Sequence, residues 1–209
     1  MPGTRTKPRL SRTDWIEGAL EVVAESGLDA LAVEPLARRM GATKGSFYWH
    51  FADRGALLQA VLDHWRQDAT ARVITEVEAI EPRRRLESLL EHSTTPGEER
   101  LEHAIIAAAG HETLGALVGP VVDEVHSARI DYVDRLLRDL GLPPDSARTR
   151  ARLVYAAYLG HLMLLSRLSE GTPRADVLDD FRRELLVLLR TPAPSTAILD
   201  DFSAGATST

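Results

Sequence analysis

Apolar residues recur at intervals of three and four positions through most of the chain, as they do along one face of an α-helix. In the first such stretch, Ser11 is able to cap a helix N-terminus and Gly27 is able to end the helix. No stretch alternates apolar and polar residues cleanly, as a half-buried β-strand would. The pattern therefore predicts an all-α protein of about nine helices.

Glycine and proline mark the ends of the predicted helices. Two short helices are expected at 33–40 and 44–50, and Asp53 can cap a long helix that runs to about residue 80. Five further helices are expected at 82–92, 98–109, 121–140, 146–170 and 174–189. Residues 191–209 are rich in Pro, Ser, Thr, Ala and Gly, and we expect them to form a disordered tail.

Charge is distributed unevenly along the chain, whose formal net charge is −6 at pH 7. Residues 1–54 carry 8 basic and 7 acidic side chains, a net charge of +1, whereas residues 55–209 carry 17 and 24, a net charge of −7. The first twelve residues hold Arg5, Lys7, Arg9 and Arg12 and no acid. This distribution is typical of a protein that meets a polyanion with its N-terminal part alone, although a solvated basic tail accounts for it equally well.

Composition argues against several classes of protein. Cysteine is absent, which excludes disulfides, thiolate nucleophiles and cysteine-ligated metal sites. The longest nearly apolar run, 153–165, has 13 residues and is shorter than the roughly 18 residues of a membrane-spanning helix. The basic N-terminus is not followed by the apolar stretch of a secretory signal, so we expect a cytoplasmic protein with no membrane partner.

Catalytic and cofactor-binding motifs are missing from the sequence. His111 and Glu112 are followed by Gly115 at the position where the zinc motif H-E-x-x-H needs its second histidine. The run from Gly41 to Ser46 is not a phosphate-binding loop, because its lysine precedes the second glycine and no strand leads into it. We therefore expect no enzymatic activity, no metal and no cofactor.

The segment 33–58 carries the most distinctive chemistry of the chain. Two short helices are joined there through Gly41 and follow an apolar helix, which is the organisation of a helix-turn-helix on a three-helix support. Phe47 and Phe51 lie four residues apart and are expected to face inward. Outward or flanking directions remain for Lys44, Ser46, Tyr48, Trp49 and His50. A short helix that exposes these side chain types favours insertion into a nucleic-acid groove.

At these residues the sequence resembles the TetR family of transcriptional regulators. The resemblance is carried by Ala19, Leu20 and Gly27, by Leu36, Ala37 and Gly41, by residues 44–51 (KGSFYWHF), and by residues 53–58 (DRGALL). It extends over roughly residues 11–62. The resemblance implies a three-helix DNA-binding head that is followed by a larger helical body for ligand binding and dimerisation.

The resemblance also implies a role for particular residues of the head. The residues assigned to DNA contact are Glu34, Thr43, Lys44, Ser46, Phe47, Tyr48, Trp49, His50 and Arg54. Lys44 and Ser46 would face the major groove, whereas Tyr48 and His50 would bind phosphates. Trp49 would lie against the DNA backbone or a thymine methyl group.

The resemblance implies two further DNA contacts at the edges of the head. The sequence also departs from the family pattern at two positions. Arg54 would bind a phosphate near a helix N-terminus, and the basic arm would reach the minor groove or flanking phosphates. Ala32 stands where the family usually has a capping Ser or Thr, so a phosphate contact and about 1 kcal/mol of capping are expected to be missing. Glu34 stands where a basic or polar residue often touches a base. It either compensates the helix dipole or accepts a hydrogen bond from a cytosine.

The last two predicted helices carry more apolar surface than one chain is expected to cover. TetR-like proteins dimerise through their last two long helices, which form a four-helix interface. The residues predicted for this interface are Leu153, Ala157, Gly160, Leu164, Leu178, Phe181, Leu185 and Leu188. The alternative is that both helices are buried within one chain.

In this family the middle helices form an effector pocket. The candidate lining residues here are Val61, His64, Trp65, Asp68, Leu89, His92, Leu101, Ile105, Ala108, Val122, Val125 and Arg129. Apolar lining with a few polar groups suits a mostly hydrophobic small molecule that has one or two polar handles. Each of these residues is alternatively plain core or plain surface.

The sequence is therefore interpreted as a homodimeric repressor that a small, mostly hydrophobic effector releases from a palindromic operator in double-stranded DNA. Its expected parts are the basic arm and helix-turn-helix in residues 1–54, the effector-binding and dimerisation domain in 55–190, and the tail in 191–209. Two alternatives remain open. One is an activator of the same fold, and the other is a helical protein-interaction module that does not bind DNA.

Overall fold

The computed structural model describes residues 10–93, 98–168 and 175–190. Its α-helices are α1 (Arg12–Ser26), α2 (Val33–Arg39), α3 (Lys44–Tyr48), α4 (Arg54–Arg66), α5 (Val73–Glu78), α6 (Arg85–Ser93), α7 (Glu98–Ala109), α8 (Gly115–Asp139), α9 (Pro144–Leu168) and α10 (Ala175–Arg190). The π-helical segment Gln67–Arg72 joins α4 to α5 without a break, so the described ranges form nine helical rods and no strand. Short 3₁₀ turns lie at Leu28–Ala30 and Pro82–Arg84. The predicted all-α fold is confirmed.

Side-chain caps fix the helix starts where the sequence places a polar residue. The Ser11 hydroxyl accepts a hydrogen bond from the Asp14 N–H at 3.1 Å, and the Asp14 carboxylate accepts one from the Ser11 N–H at 2.6 Å. Asp53 caps α4 by accepting from the Ala56 N–H at 2.8 Å. Ala32, as expected, gives α2 no side-chain cap.

One predicted helix boundary is wrong. Helix α8 begins at Gly115 rather than at residue 121, and it contains Pro120. Proline near the start of a helix deprives a single carbonyl of its intrahelical partner, and burial of Val118 and Val122 compensates for this loss. The predicted single helix from Asp53 also changes its winding at the π-helical segment.

Two main apolar clusters form the interior of the described residues. The first unites α1 to α4 with α7 and α8, and its largest buried side chains include Trp15, Phe47 and Ile105. The second lies among α5, α6, α8, α9 and α10, and includes Val77, Leu137 and Leu189. Because α4 and α8 belong to the first cluster, the helix-turn-helix packs directly on the helices that continue into the body.

None of the helices in the described ranges combines the length and the apolar character that crossing a bilayer requires.

Candidate functional site

Helix α3 is anchored to the head by one aromatic side chain. Phe47 is fully buried, and its ring centroid lies 5.5 Å from those of Trp15 and Phe51. Thr43 begins the helix, since its hydroxyl accepts a hydrogen bond from the Ser46 N–H at 3.1 Å. The assignment of Phe47 to DNA contact is therefore corrected, because the side chain that orients α3 has no surface left for DNA.

The outer side of α3 and its C-terminal end present two exposed aromatic side chains. Tyr48 is 56% exposed and Trp49 is 76% exposed, whereas Ser46 and His50 are half-buried. Large aromatic side chains normally lose most of their exposure on folding, so two neighbouring exposed rings mark a contact surface. The Nε2 atom of His50 is buried and has no hydrogen-bond partner among the described residues.

An ion pair connects the two helices of the helix-turn-helix. The Lys44 Nζ atom lies 2.7 Å from the Glu34 Oε2 atom, and Arg38 approaches the same carboxylate to 3.6 Å. The hydrogen bond between Lys44 and Glu34 raises the pKa of the lysine and lowers the pKa of the carboxyl group. Lys44, Glu34 and Arg38 all remain largely exposed, so DNA can reach them.

Arg54 does not have the role that the resemblance implied. Its Nε–H donates to the Leu31 carbonyl at 2.5 Å, and its Nη2 donates to the carbonyls of Leu28 and Asp29 at 3.2 and 3.4 Å. The half-buried guanidinium thus braces the connection between α1 and α2. We correct its assignment from a phosphate contact to a structural residue of the head. The basic residues Arg5, Lys7 and Arg9 lie outside the described residues.

A cavity with a volume of about 90 Å³ opens in the body beside the π-helical segment. It is lined by Ala69, Thr70, Val73, Ile74, Leu89, Leu90, His92, Glu99, Glu102, Arg129, Tyr132, Val133, Val154, Tyr155, Tyr158 and Leu185. Leu89, His92 and Arg129 were predicted to line a pocket, and Leu185 was predicted for the dimer interface.

The other predicted pocket residues do not line this cavity. Val61, Trp65, Ile105, Ala108, Val122 and Val125 are buried in the first apolar cluster, and Leu101 packs against that cluster. His64 and Asp68 pair with each other at 3.1 Å and are both partly exposed. The sequence placed the pocket too close to the head, because helical periodicity does not distinguish a side chain that fills the core from one that borders a space.

A buried network of polar groups forms one wall of the cavity. Arg129 pairs with Glu102, donates from Nε to the Thr70 hydroxyl at 3.1 Å and donates from Nη2 to the Ala69 carbonyl at 3.1 Å. The Tyr158 hydroxyl donates to Glu102 at 3.1 Å. The network ties α8, α7 and α9 to the π-helical segment. Sequence reasoning missed Glu102, although an arginine on a largely apolar helix face requires a buried acid as its partner.

Burial and charge set the protonation of this wall. Burial disfavours the charged form of Arg129, but the neighbouring Glu102 more than offsets this effect and raises the pKa of the guanidinium. Burial raises the pKa of Tyr155 to about 12 and that of Tyr158 well above its ordinary value. Near neutral pH, Arg129 is therefore charged and both tyrosines keep their hydroxyl hydrogens.

A stripe of exposed apolar side chains runs along α9 and α10. Leu153, Met163 and Leu164 on α9, and Val187 and Leu188 on α10, are each more than half exposed. Gly160 is exposed and Ala157 is half-buried. Adjoining exposed apolar side chains of this size mark an interaction surface.

The remaining residues that were predicted for the dimer interface lie elsewhere. Leu185 is 2% exposed and packs within its own chain, so its assignment to an interface between subunits is corrected. Phe181 is half-buried and stacks on His161 with ring centroids 3.8 Å apart. The side chain of Leu178 lies outside the described part of the structure.

Among the described residues, no group of three or more His, Cys, Asp or Glu side chains is arranged to hold a metal ion.

Comparison with known proteins assigns the head to a family. Residues 16–61 match the family model described as bacterial regulatory proteins, tetR family. The chain is 40% identical to the class D tetracycline repressor protein of Escherichia coli over 53 residues, which are 25% of this chain and 24% of that protein. It is 30% identical to the HTH-type transcriptional regulator TtgR of Pseudomonas putida over 81 residues, which are 38% of this chain and 39% of that protein. The matched part thus spans about a quarter of the length of the tetracycline repressor.

Solved structures extend the likeness in fold to most of the chain. A TetR transcriptional regulator from Legionella pneumophila superposes with a TM-score of 0.67 at 17% identity, over 88% of this chain and 97% of that one. A transcriptional regulator from Rhodococcus gives a TM-score of 0.67 at 19% identity, over 86% and 94% of the two chains. Residues 16–61 therefore match the helix-turn-helix domain of the TetR family of DNA-binding transcriptional regulators, and most of the chain shares the fold of a solved TetR transcriptional regulator.

Proposed function

We propose that this regulator is a homodimeric repressor in the cytoplasm. In this proposal, residues 1–54 bind one half of a palindromic operator, and residues 55–190 hold a small, mostly hydrophobic effector and the dimer interface. Effector binding changes the separation of the two heads, which then no longer fit successive major grooves. Repression is relieved as the protein leaves the operator.

The observation that carries the proposal is the continuity between the head and the cavity. Helix α4 starts directly after the helix-turn-helix, where Asp53 caps it, and runs without a break into the π-helical segment. Ala69 and Thr70 of that segment line the cavity and accept hydrogen bonds from Arg129. A ligand in the cavity therefore touches the far end of the helix that supports the head.

Two further features support a dimer that binds a palindrome. The exposed apolar stripe of α9 and α10 is a surface that a second copy can cover. Helix α3 is five residues long and reads too few base pairs for useful specificity, whereas two copies read two half-sites about one helical turn or a multiple apart. Repression in particular is supported by the printed name of the Escherichia coli relative, a tetracycline repressor protein.

The proposal can be tested on DNA from upstream of the gene that encodes this protein. Fluorescence anisotropy should show salt-dependent binding to a palindrome within that DNA. The slope of the logarithm of the binding constant against the logarithm of the salt concentration reports the number of phosphate contacts. A reporter fused to the same DNA should become more active when the gene is deleted. Reduced reporter activity on deletion would instead identify an activator. A lack of specific binding to any fragment would favour a protein-interaction module.

A further inference from the structure

Arg129 and Glu102, a cation and an anion that line the cavity, use their hydrogen-bonding atoms on partners within the protein. Arg129 uses Nε, Nη1 and Nη2 on Thr70, Glu102 and Ala69. Both oxygens of Glu102 accept hydrogen bonds, from Arg129 and Tyr158. The cation and the anion of this wall therefore neutralise each other.

Apart from the tyrosines, the other ionisable side chains of the wall, His92 and Glu99, are also engaged. His92 lies 3.2 Å from Glu76 and has its Nδ1 atom 2.8 Å from the Ser88 carbonyl. Glu99 also interacts with another group within the protein. A charged ligand would have to break one of these pairs or carry its own charge unpaired into a buried, largely apolar space, and both are unfavourable.

Two tyrosine hydroxyls in the cavity wall are buried and donate no hydrogen bond to any of the described residues. Tyr155 is 8% exposed and Tyr132 is 2% exposed, and both side chains line the cavity. A buried hydroxyl without a partner is unfavourable, and such a group marks a position where a ligand atom can complete the bonding. Because burial raises the pKa of both tyrosines, each hydroxyl keeps its hydrogen at physiological pH and can donate it.

The position of Tyr155 joins this donor to the charged network and to the apolar wall. Its ring centroid lies 6.0 Å from that of Tyr158, whose hydroxyl contacts Glu102. Much of the remaining lining is aliphatic, with side chains such as Val73, Ile74 and Leu90. The cavity thus combines a hydroxyl donor with hydrocarbon surface.

We propose that the effector is an uncharged molecule with an apolar skeleton and a hydrogen-bond acceptor, such as a carbonyl or ether oxygen, that takes the hydroxyl hydrogen of Tyr155. The skeleton fills the aliphatic part of the cavity, and the pair of Glu102 and Arg129 stays intact. This inference rests on the proposed function, because it assigns a chemical class to the effector of the same cavity.

The test uses the full chain and a fluorescent dye, N-phenyl-1-naphthylamine, which is uncharged and brightens in an apolar site. Three competitors share one nine-carbon skeleton: 2-nonanone, nonanoate and nonylammonium. We expect 2-nonanone to displace the dye at a concentration at least about ten times lower than either ion requires, since each ion must lose its hydration.

The variant Tyr155→Phe removes the proposed donor and leaves the ring in place. It should raise the concentration of 2-nonanone needed for displacement about three- to ten-fold, which is the range for loss of one hydrogen bond. Ser127→Ala is the control, because it removes a hydroxyl from an exposed side chain of α8 that does not line the cavity, and it should leave displacement unchanged. Thermal denaturation checks that both variants fold.

Three outcomes would overturn the inference. Nonanoate that binds as well as the ketone would identify Arg129 as the ligand's partner, and nonylammonium that does so would identify the carboxylates. Equal displacement from Tyr155→Phe and the unchanged protein would exclude the tyrosine. If neither the dye nor any competitor binds, the cavity takes no ligand of this class.

The same protein samples separate this inference from the proposed function. Operator binding is measured by anisotropy with and without 2-nonanone. Specific DNA binding without any competitor binding defeats the ligand class alone. Competitor binding that leaves operator affinity unchanged defeats effector-controlled release and keeps the ligand class.

Discussion

Lys44 and Glu34 face each other across the helix-turn-helix, with Nζ and Oε2 2.7 Å apart on an exposed surface. An exposed ion pair contributes little to folding, about 0–1 kcal/mol. Its consequence lies in binding, because a phosphate or a base acceptor must compete with Glu34 for the same ammonium group. We therefore expect Glu34 to lower the affinity of the head for DNA that offers Lys44 nothing better than a phosphate.

Glu34→Gln should raise the affinity for non-specific DNA and steepen its salt dependence by up to about one released counterion, since Lys44 becomes free to bind a phosphate. Anisotropy titrations at several salt concentrations measure both quantities. Glu21→Gln, which removes an exposed acid that pairs with Arg39 at 3.3 Å, controls for the change in net charge. If Glu34→Gln weakens operator binding and leaves non-specific binding unchanged, Glu34 reads a base instead.

Tyr48→Phe should weaken binding to every DNA sequence by a similar factor, about three- to ten-fold, because it removes one hydroxyl from a 56% exposed ring and keeps the ring. Lys44→Ala should in addition change the preferred base if Lys44 reads a guanine, by roughly 1–3 kcal/mol. Binding selections from a randomised operator compare the two variants. An unchanged preferred site for Lys44→Ala would make Lys44 a phosphate contact.

Single-residue roles were predictable where spacing decides the direction of a side chain. The period of a helix separates Phe47 from Tyr48 and Trp49, which are buried and exposed respectively. Arg54 was not predictable in this way. Its guanidinium reaches back to carbonyls about 25 residues earlier in the chain, and only the folded head brings these groups together.

Among the helices, the rod formed by α4, the π-helical segment and α5 connects the head with the body. The π-helical winding departs from the regular i to i−4 pattern and occurs in many proteins at functional sites. Arg129 holds this segment at the Ala69 carbonyl and the Thr70 hydroxyl. The segment thus has one defined arrangement when the pair of Arg129 and Glu102 is intact.

Arg129→Met should lower the free energy of unfolding by about 3–5 kcal/mol, because Glu102 is 7% exposed and would be left as a buried charge without its cation. Urea denaturation at one fixed protein concentration measures the change. The double variant Arg129→Met, Glu102→Gln removes that charge and should recover most of the loss. A double variant that is no more stable than Arg129→Met would mean that packing of the arginine, and not its charge, stabilises this region.

Apolar periodicity predicted which segments form helices. It did not predict the π-helical winding after α4 or the start of α8 at Gly115. The π-helical segment has no motif of its own in the sequence, and its hydrogen bonds to Arg129 come from 59 and 60 residues away. Gly115, Gly119 and Pro120 resemble a break, yet burial of the apolar face of α8 overrides their low helix propensity.

Over the whole molecule, the exposed apolar stripe of α9 and α10 is the surface that a single chain leaves uncovered. Leu164 and Leu188 are 58% and 55% exposed, whereas Leu185 on the same helix as Leu188 is 2% exposed. Leu185 and Leu188 therefore lie on different faces of α10. One face of the helix completes the chain's own core and the other is available to a second copy.

Leu164→Glu combined with Leu188→Glu should give a folded monomer that binds a single half-site weakly, because two charges are added to the proposed interface without touching the core. Sedimentation equilibrium and circular dichroism measure mass and helicity. Leu185→Ala is the contrasting variant and should lower the free energy of unfolding by about 2–5 kcal/mol. A wild-type protein that is monomeric at micromolar concentration would contradict the proposed dimer.

The sequence by itself determined the helical fold, the helix-turn-helix and the family resemblance of the head, because these depend on local spacing, capping residues and a contiguous motif. Tertiary structure alone decided where the cavity lies and which groups line it. Glu102, Thr70, Arg129 and Tyr155 come from four separate segments, and only helix packing brings them into contact. It also decided which apolar side chains of α9 and α10 remain exposed, since burial depends on neighbours that are distant in the chain.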